Sequence, residues 1–412
     1  LRATAMVRGR LRTVKRFAFW NTERKCCYLS RYDGTSLRLS GPTIEVVANG
    51  EEVLFSNDDG GSAPYAPDIG GHGKLLPLLT GLNWAASTPG HMRPIDQERA
   101  LTVWIFALAF PDLFVTKPLL IVEGAPGSGK SASMQIIQQV IHGRTRPLII
   151  GKKREDDFST QILRSPIAVL DNVDAYIDWL PDAVCAYTTS GVWVKRKLYT
   201  DDDEHEVRPQ AFLAVASKNP ASFRREDVAD RTIVLRLDRR DDFTPMALIQ
   251  SRIESERDEL YGEWIYHVNE IVAEISTNGM PKSSNHRMAD WESFSRVVAK
   301  VVGWSDSDVD EMMGALQRER DAFAGEGDSL VELISRWLDQ VANVGREVTA
   351  QKLHDELSAI AAHFKKPLVR SPNALAQKLR APYLESVFEI EIKAGHSGIR
   401  TYRIRRAGGR RD

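Results

Sequence analysis

Cysteine is scarce in this chain of 412 residues, which carries only Cys26, Cys27 and Cys185. None forms a Cys-x-x-Cys pair, so neither a cysteine-based zinc module nor a disulfide framework is expected. Long apolar runs are missing too. The longest, Ala100 to Phe110, is too short to span a bilayer and stops at Pro111, so it reads as a buried helix. No basic segment followed by an apolar one opens the chain in the manner of a secretory signal. His72, His91 and His142 lack metal-ligand spacing. These absences point to a reducing, cytoplasmic setting with no membrane partner. The first residue is Leu1 rather than Met, which leaves room for an upstream domain.

Net charge is also nearly absent: 55 Lys+Arg against 56 Asp+Glu leave −1. Taken whole, that total argues against a uniform polyelectrolyte binder. The charges are segregated, however. Residues 1–31 carry +8 and residues 361–412 carry another +8, so the middle must hold −17. Basic ends around an acidic centre suit a nucleic-acid-binding protein with a separate enzymatic core.

The length predicts two to four domains. Residues 17–56 favour short strands, with hairpin turns expected at Asp33-Gly34 and, between TIEVVA and EEVLF, at Asn49-Gly50. Residues 57–95 read as a loop-dominated connector, and a helix is expected from Asp96 as N-cap to Phe110. From Pro118 the pattern alternates between apolar strands (118–122, 167–170, 211–216) and helices such as Lys130–Ile141, closed by Gly143. That alternation indicates a parallel α/β sheet covered on both faces. After residue 240 the spacing is helical for some ninety residues. The last block has three helical segments and then two strands flanking Gly395–Gly398, the pattern of a winged helix. The expected division is a β-rich region and connector (1–95), an ATPase core (96–240), a helical lid (241–327) and a winged-helix DNA-binding domain (328–412).

Gly124, Ala125, Pro126, Gly127, Ser128, Gly129, Lys130 and Ser131 spell Gly-x4-Gly-Lys-Ser between an apolar strand and a helix. Such a loop turns successive backbone N–H groups toward phosphate and adds the positive end of a helix. Lys130 would reach the β- and γ-phosphates of ATP, and the Ser131 hydroxyl would ligate Mg²⁺. About forty residues on, Ile167–Leu170 ends in Asp171, the expected carboxylate near Mg²⁺. Asn172 stands where many such ATPases have a glutamate base. An amide can orient water but not take its proton, so either Asp174 is the base or hydrolysis relies on positioning. The strand 211–216 runs into Ser217 and Asn219, both candidates for a γ-phosphate sensor. Arg231, just before another apolar run, is a candidate arginine finger, although Glu226, Asp227 and Asp230 offer it ordinary ion-pair partners. No Asn-Lys-x-Asp motif supports guanine specificity.

This order of phosphate loop, IAVLDN, sensor strand and arginine resembles AAA+ ATPases of the superfamily III and minichromosome-maintenance-like helicase type. More narrowly, WLPDAVCAYTTSGVWVKRKLYTDDDEHEVRP (179–209) resembles a block in primase–helicase ATPases of phages and bacterial mobile elements. His286 to Asp290 resembles a downstream arginine motif there. The resemblance covers roughly residues 60–300 and implies a P-loop AAA+ fold, ATP hydrolysis, assembly into a homo-oligomeric ring, expected as a hexamer, and work on replicating element DNA. Arg287 would then be a second sensor. Two segments depart from the pattern: Thr189-Ser190-Gly191 replaces Thr-Gly-Gly, and Ser217-Lys218-Asn219-Pro220 replaces a shorter sensor segment.

DNA contacts are expected in two places. A hairpin from 192–199 and 205–208 would offer Lys195, Arg196 and Lys197, while its acidic tip, Asp201 to Glu204, would repel phosphate. In the last block, Ser371 would cap a recognition helix bearing Lys378 and Arg380, next to a wing with Lys393, His396, Arg400, Arg403, Arg405 and Arg406. The function expected is an ATP-dependent helicase or translocase on single-stranded or forked DNA in phage or mobile-element replication. The alternative is a loader or initiator that binds DNA with ATP and does not unwind it.

Overall fold

The structure is a computed structural model that describes residues 14–56, 60–86, 91–145, 147–148, 155, 158, 162, 165–189, 193–196, 204–207, 210–281, 286, 288–326, 328–364, 366–394 and 400–407. It begins with six short strands: β1 (Val14–Lys15), β2 (Ala18–Asn21), β3 (Cys26–Ser30), β4 (Thr35–Leu39), β5 (Ile44–Ala48) and β6 (Leu54–Phe55). Strands β2 to β5 form an antiparallel sheet in sequence order. Asp33-Gly34 turns β3 into β4, with Asp33 Oδ1 accepting from the Thr35 backbone at 2.9 Å. Asn49-Gly50 does not make the expected hairpin, because β6 pairs in parallel with β1. The Asn49 amide holds the Phe55 backbone from both sides, at 2.7 and 2.9 Å, and steers the chain away from β5.

The connector is less irregular than its composition suggests, since it contains helix α1 (Leu75–Thr80). Helix α2 spans Pro94–Ala107 with Arg93, not Asp96, as N-cap. Pro94 supplies the preset φ of a first helical residue, and Asp96, buried one turn in, accepts the Arg93 guanidinium at 2.7 and 2.9 Å.

The central part alternates β7 (Leu119–Gly124), α3 (Lys130–His142), β8 (Pro147–Leu148), β9 (Ile167–Asp171), α4 (Leu180–Thr188), the hairpin β10 (Trp193–Arg196) and β11 (Glu204–Val207), β12 (Phe212–Ser217), α5 (Glu226–Ala229) and β13 (Thr232–Leu237). Five of these strands form one sheet in the order β13-β7-β12-β9-β8, with every pairing parallel. Strand β7 is buried on both faces, so its run of Leu119, Leu120, Ile121 and Val122 shows no alternation. Because the strands run the same way, Gly124, Asp171, Ser217 and Leu237 all end at one edge.

Helices α6 (Met246–Asn278), α7 (Ala289–Val302) and α8 (Asp306–Gly325) follow. One apolar cluster joins α6 to α8, one sheet face and the N-terminal strands, and crosses the boundary expected at residue 95. Polar contacts seat α6: Glu263 accepts from Lys74 N and Leu75 N at 2.9 and 3.0 Å, so α6 caps the start of α1. Asn269 brackets Gly41 at 3.0 and 2.7 Å.

The last block holds α9 (Ser329–Leu338), β14 (Val348–Thr349), α10 (Ala350–Phe364), α11 (Pro372–Lys378), α12 (Pro382–Val387), β15 (Phe388–Ala394) and β16 (Arg400–Arg406). Four helices therefore stand where three were expected, beside a three-stranded sheet in the order β14-β16-β15. A second apolar cluster joins this block to the other face of the parallel sheet.

Candidate nucleotide site and basic surfaces

The chemistry-bearing residues of the central region converge on the edge where the parallel strands end. The turn from β7 to α3 needs two left-handed residues, and Gly127 (φ +83°) and Gly129 (φ +86°) supply them. Lys130 opens α3, with its Nζ 3.4 Å from the Ala125 carbonyl. One residue on, Ser131 Oγ donates to Asp171 Oδ1 at 2.8 Å. A hydroxyl and a carboxylate side by side are the hard oxygen donors that Mg²⁺ takes together with phosphate oxygens and water. Ser128 Oγ is buried with no partner among the described residues. The loop and its donors therefore fit a bound polyphosphate and a divalent cation.

The next positions explain one departure from the expected pattern. Asn172 has φ +58° and donates its backbone N–H to Ala216 O at 2.9 Å. Asn tolerates this left-handed backbone better than longer side chains do, so the amide in place of glutamate has a conformational reason. Asp174 is engaged by the end of β12: it accepts from Ser217 Oγ at 2.6 Å, Lys218 N at 2.9 Å and Asn219 N at 3.2 Å. Burial alone would raise its pKa. The Ser217 hydroxyl, the two backbone N–H groups and the Lys130 charge outweigh that and hold it below the usual carboxylate range. Asp174 thus orders the segment that leaves β12. Ser217 is fully buried, whereas Asn219 is exposed at the edge.

Arg231 lies at the opposite end of the sheet. Its carbonyl accepts from Leu119 N at 2.9 Å, at the start of β7. Five strand residues at about 3.3 Å each separate that point from Gly124, roughly 16 Å. Arg231 therefore cannot touch a phosphate held by its own chain's loop. Its guanidinium contacts Cys185 Sγ at 3.3 Å and the Asp227 carbonyl. Arg287 lies outside the described residues.

A half-buried ionic network that the motifs did not indicate stands just behind the loop. Glu123, immediately before Gly124, accepts from Arg224 Nη2 at 3.0 Å and Arg236 Nη1 at 3.3 Å. Arg236 also donates to Glu319 at 2.6 Å and Glu326 at 2.6 Å, and Arg224 pairs with Glu326. Burial raises the Glu123 pKa, only partly offset by the two guanidinium groups. For Glu319, burial is outweighed by His91 and Arg236, and its pKa falls. The available signal was chemical: an acid in the apolar run LLIVEG and an arginine in TIVLRL both demand buried partners.

The basic surfaces are only partly as expected. Strands β10 and β11 pair antiparallel with Lys195 opposite His205 and Arg196 opposite Glu204. The side chains of Lys195, Arg196 and Glu204, together with residues 197 and 201–203, lie outside the described residues. In the last block Ser371 does cap α11, accepting from Ala374 N at 3.2 Å. That helix ends at Lys378, so Arg380 sits beyond it. Lys378 donates to Asp328 at 2.7 Å and is a staple rather than a free phosphate ligand, because Asp328 also takes the Tyr383 hydroxyl at 2.6 Å. Arg403 is paired with Glu347 at 2.9 Å and Arg406 with Asp339 at 2.5 Å. Arg380, Lys393 and Arg400 are exposed, the last two near the end of the β15–β16 hairpin where residues 395–399 join the strands. His396 lies outside the described residues. No described helix is long and apolar enough to cross a membrane.

No curated protein matches the chain. Among solved structures, the SCCmec type IV Cch active helicase is similar at 11% identity over 98% of this chain and 82% of that one, with a TM-score of 0.45. The apo NrS-1 C-terminal region is similar at 13% identity over 90% and 94%, with a TM-score of 0.35. JCV helicase is similar at 10% identity over 54% and 66%, with a TM-score of 0.27. At these levels the three carry no argument about activity. The family match is of a different kind: residues 92–303, just over half of the chain and including the whole phosphate-loop edge, match the actinomycete integrative conjugative element replication proteins, and the chain belongs to that family.

Proposed function

We propose that this replication protein is an ATP-dependent DNA helicase or translocase serving the copying of its mobile element. The observation that carries the proposal is the Ser131–Asp171 contact of 2.8 Å beside Lys130 at the start of α3, in a chain of a replication family. In this account the loop amides and Lys130 bind the β- and γ-phosphates of ATP. Ser131 and Asp171 hold Mg²⁺, which when bound neutralises charge on the transferred phosphoryl group. Asn172 and Asn219 orient water at the edge, and Asp174 fixes the segment that carries Asn219. Arg231 serves the site of a neighbouring subunit, so the active form is a ring, expected as a hexamer. The ATPase core, the helical lid and a C-terminal winged helix divide the work between hydrolysis and DNA binding.

One observation favours a second account. Asn172 cannot take a proton, and Asp174 is held by three donors with a lowered pKa. Slow hydrolysis that changes assembly state, as in a loader or initiator, needs no strong base. Hydrolysis without strand displacement by an assembled ring would select it.

DNA contact through the last block is tested separately. Replacing Arg380, Lys393 and Arg400 together by Gln is expected to weaken binding to single-stranded and forked DNA. The slope of log K against log salt should fall by about 2–3, at roughly 0.7–0.9 per lost phosphate contact. Anisotropy titrations across a salt series measure it. An unchanged slope would move the contact elsewhere.

A further inference from the structure

The segment leaving β13 folds back over the phosphate loop and carries an exposed aromatic ring. Arg240 N donates to Gly127 O at 3.3 Å, which ties Asp238–Phe243 to the loop. The Phe243 ring lies so close that a Cβ on Gly127 would stand 3.2 Å from it. Phe243 is nevertheless 62% exposed, with its Cε1 and Cζ atoms nearest the loop and much of its surface open to solvent. A ring this exposed contributes little to the core.

Beside it a cleft of about 230 Å³ is lined by Gly81, Leu82, Asn83, Arg240, Asp241 and Asp242. Its two walls are fastened together: Asp238 N donates to Asn83 O at 2.9 Å, and Asn83 Nδ2 donates to Asp238 O at 3.2 Å and Arg239 O at 3.0 Å. The Asn83 amide donors are therefore already committed to the backbone. Gly81 and Leu82 bring no side-chain hydrogen-bonding group. What the place offers a ligand is a flat ring, the exposed Arg240 guanidinium and two exposed carboxylates.

We propose that Phe243 and this cleft receive the nucleoside of the bound nucleotide, and that they hold the base by stacking rather than by reading its edge. The substrate class is then a ribonucleoside triphosphate with weak base discrimination, broader than ATP alone. Every base presents a π face, so stacking on an aromatic ring is tolerant of base identity. Strong rejection requires buried groups that one base satisfies and another leaves unpaired. The Asp241 and Asp242 carboxylates stand where they could accept from ribose hydroxyls. The inference rests on the phosphate site proposed above.

Equilibrium binding of the full chain with Mg²⁺ tests it, using ATP, GTP, CTP, UTP and inorganic tripolyphosphate as probes. The four nucleotides are expected to bind within about tenfold of one another. Phe243→Ala should weaken all four by at least about fivefold, the lower end of what an aromatic–base stack contributes, and Phe243→Trp should restore them. Tripolyphosphate should bind both variants as it binds the parent, which separates a lost stack from a damaged loop. The proposal is overturned if ATP is preferred by more than a hundredfold, or if Phe243→Ala weakens tripolyphosphate as much as ATP. Lys130→Ala in the same titrations keeps the two ideas apart. If it leaves tripolyphosphate binding unchanged, the phosphate site itself is misassigned; if it weakens it while Phe243→Ala changes nothing, only the base platform fails.

Discussion

Lys130→Ala is expected to lower ATP hydrolysis by about 10²–10³-fold, the loss that follows removal of one preorganised group facing transition-state charge. The size of the effect comes from how the side chain is placed. Lys130 is only 8% exposed, yet among the described residues its ammonium makes a single hydrogen bond, a long one to the Ala125 carbonyl at 3.4 Å. A buried ammonium with so weak a partner in its own chain is poised for an anionic ligand. For the same reason its removal costs the fold little, so the melting temperature should stay within a few degrees. A steady-state ATPase assay with a thermal melt checks both. Undiminished hydrolysis would place the phosphates elsewhere; a large fall in melting temperature would show that Lys130 supports the fold.

Arg231→Ala should reduce hydrolysis by at least about 10³-fold, the lower end of what an arginine finger contributes. Nucleotide binding by each subunit should stay nearly unchanged. The distance of roughly 16 Å along the sheet makes any such effect intermolecular. Mixing the two inactive variants is therefore the decisive form of the experiment. Where an Arg231→Ala subunit supplies Lys130 and its neighbour supplies Arg231, an intact site is rebuilt and hydrolysis should recover. If Arg231 only tethers Cys185 and the Asp227 carbonyl, the variant will lose stability and mixing will restore nothing.

The elements that could be read from the sequence share a property: their signal is local and periodic. Strand β7, helix α3 and the Gly143 cap follow from an apolar run, a phosphate-loop pattern and a terminal glycine, and Gly143 does adopt the left-handed conformation at φ +70°. The contact between Ser131 and Asp171 follows from the parallel sheet, because parallel strands deliver their ends to one edge. Long-range competition decided the misses. Asn49-Gly50 has the composition of a hairpin turn, but its amide is used to clasp Phe55. Asp96 resembles an N-cap, but Pro94 starts the helix earlier and Arg93 takes the carboxylate. The ion pair of Lys378 with Asp328, fifty residues earlier, likewise had no signal in the sequence. The Glu123–Arg224–Arg236–Glu319–Glu326 network was partly legible as charges stranded in apolar runs, but no spacing rule could have paired them.

The charge segregation takes on a narrower meaning in the same light. Of the basic residues in the last block, Lys378, Arg403 and Arg406 neutralise acids of the protein itself. The unpaired positive excess is therefore smaller than the count over 361–412 suggests, and among the described residues Arg380, Lys393 and Arg400 are exposed carriers of it. In the proposed function the excess serves binding, whereas work on DNA would depend on the edge formed by Lys130, Ser131 and Asp171.

Strand displacement on a forked duplex, measured on the assembled protein with Mg²⁺ and ATP, tests the central claim most directly. The account predicts displacement that requires ATP, disappears in Lys130→Ala, and keeps pace with DNA-stimulated hydrolysis. A ring that binds the fork and hydrolyses ATP while leaving the duplex intact would contradict it.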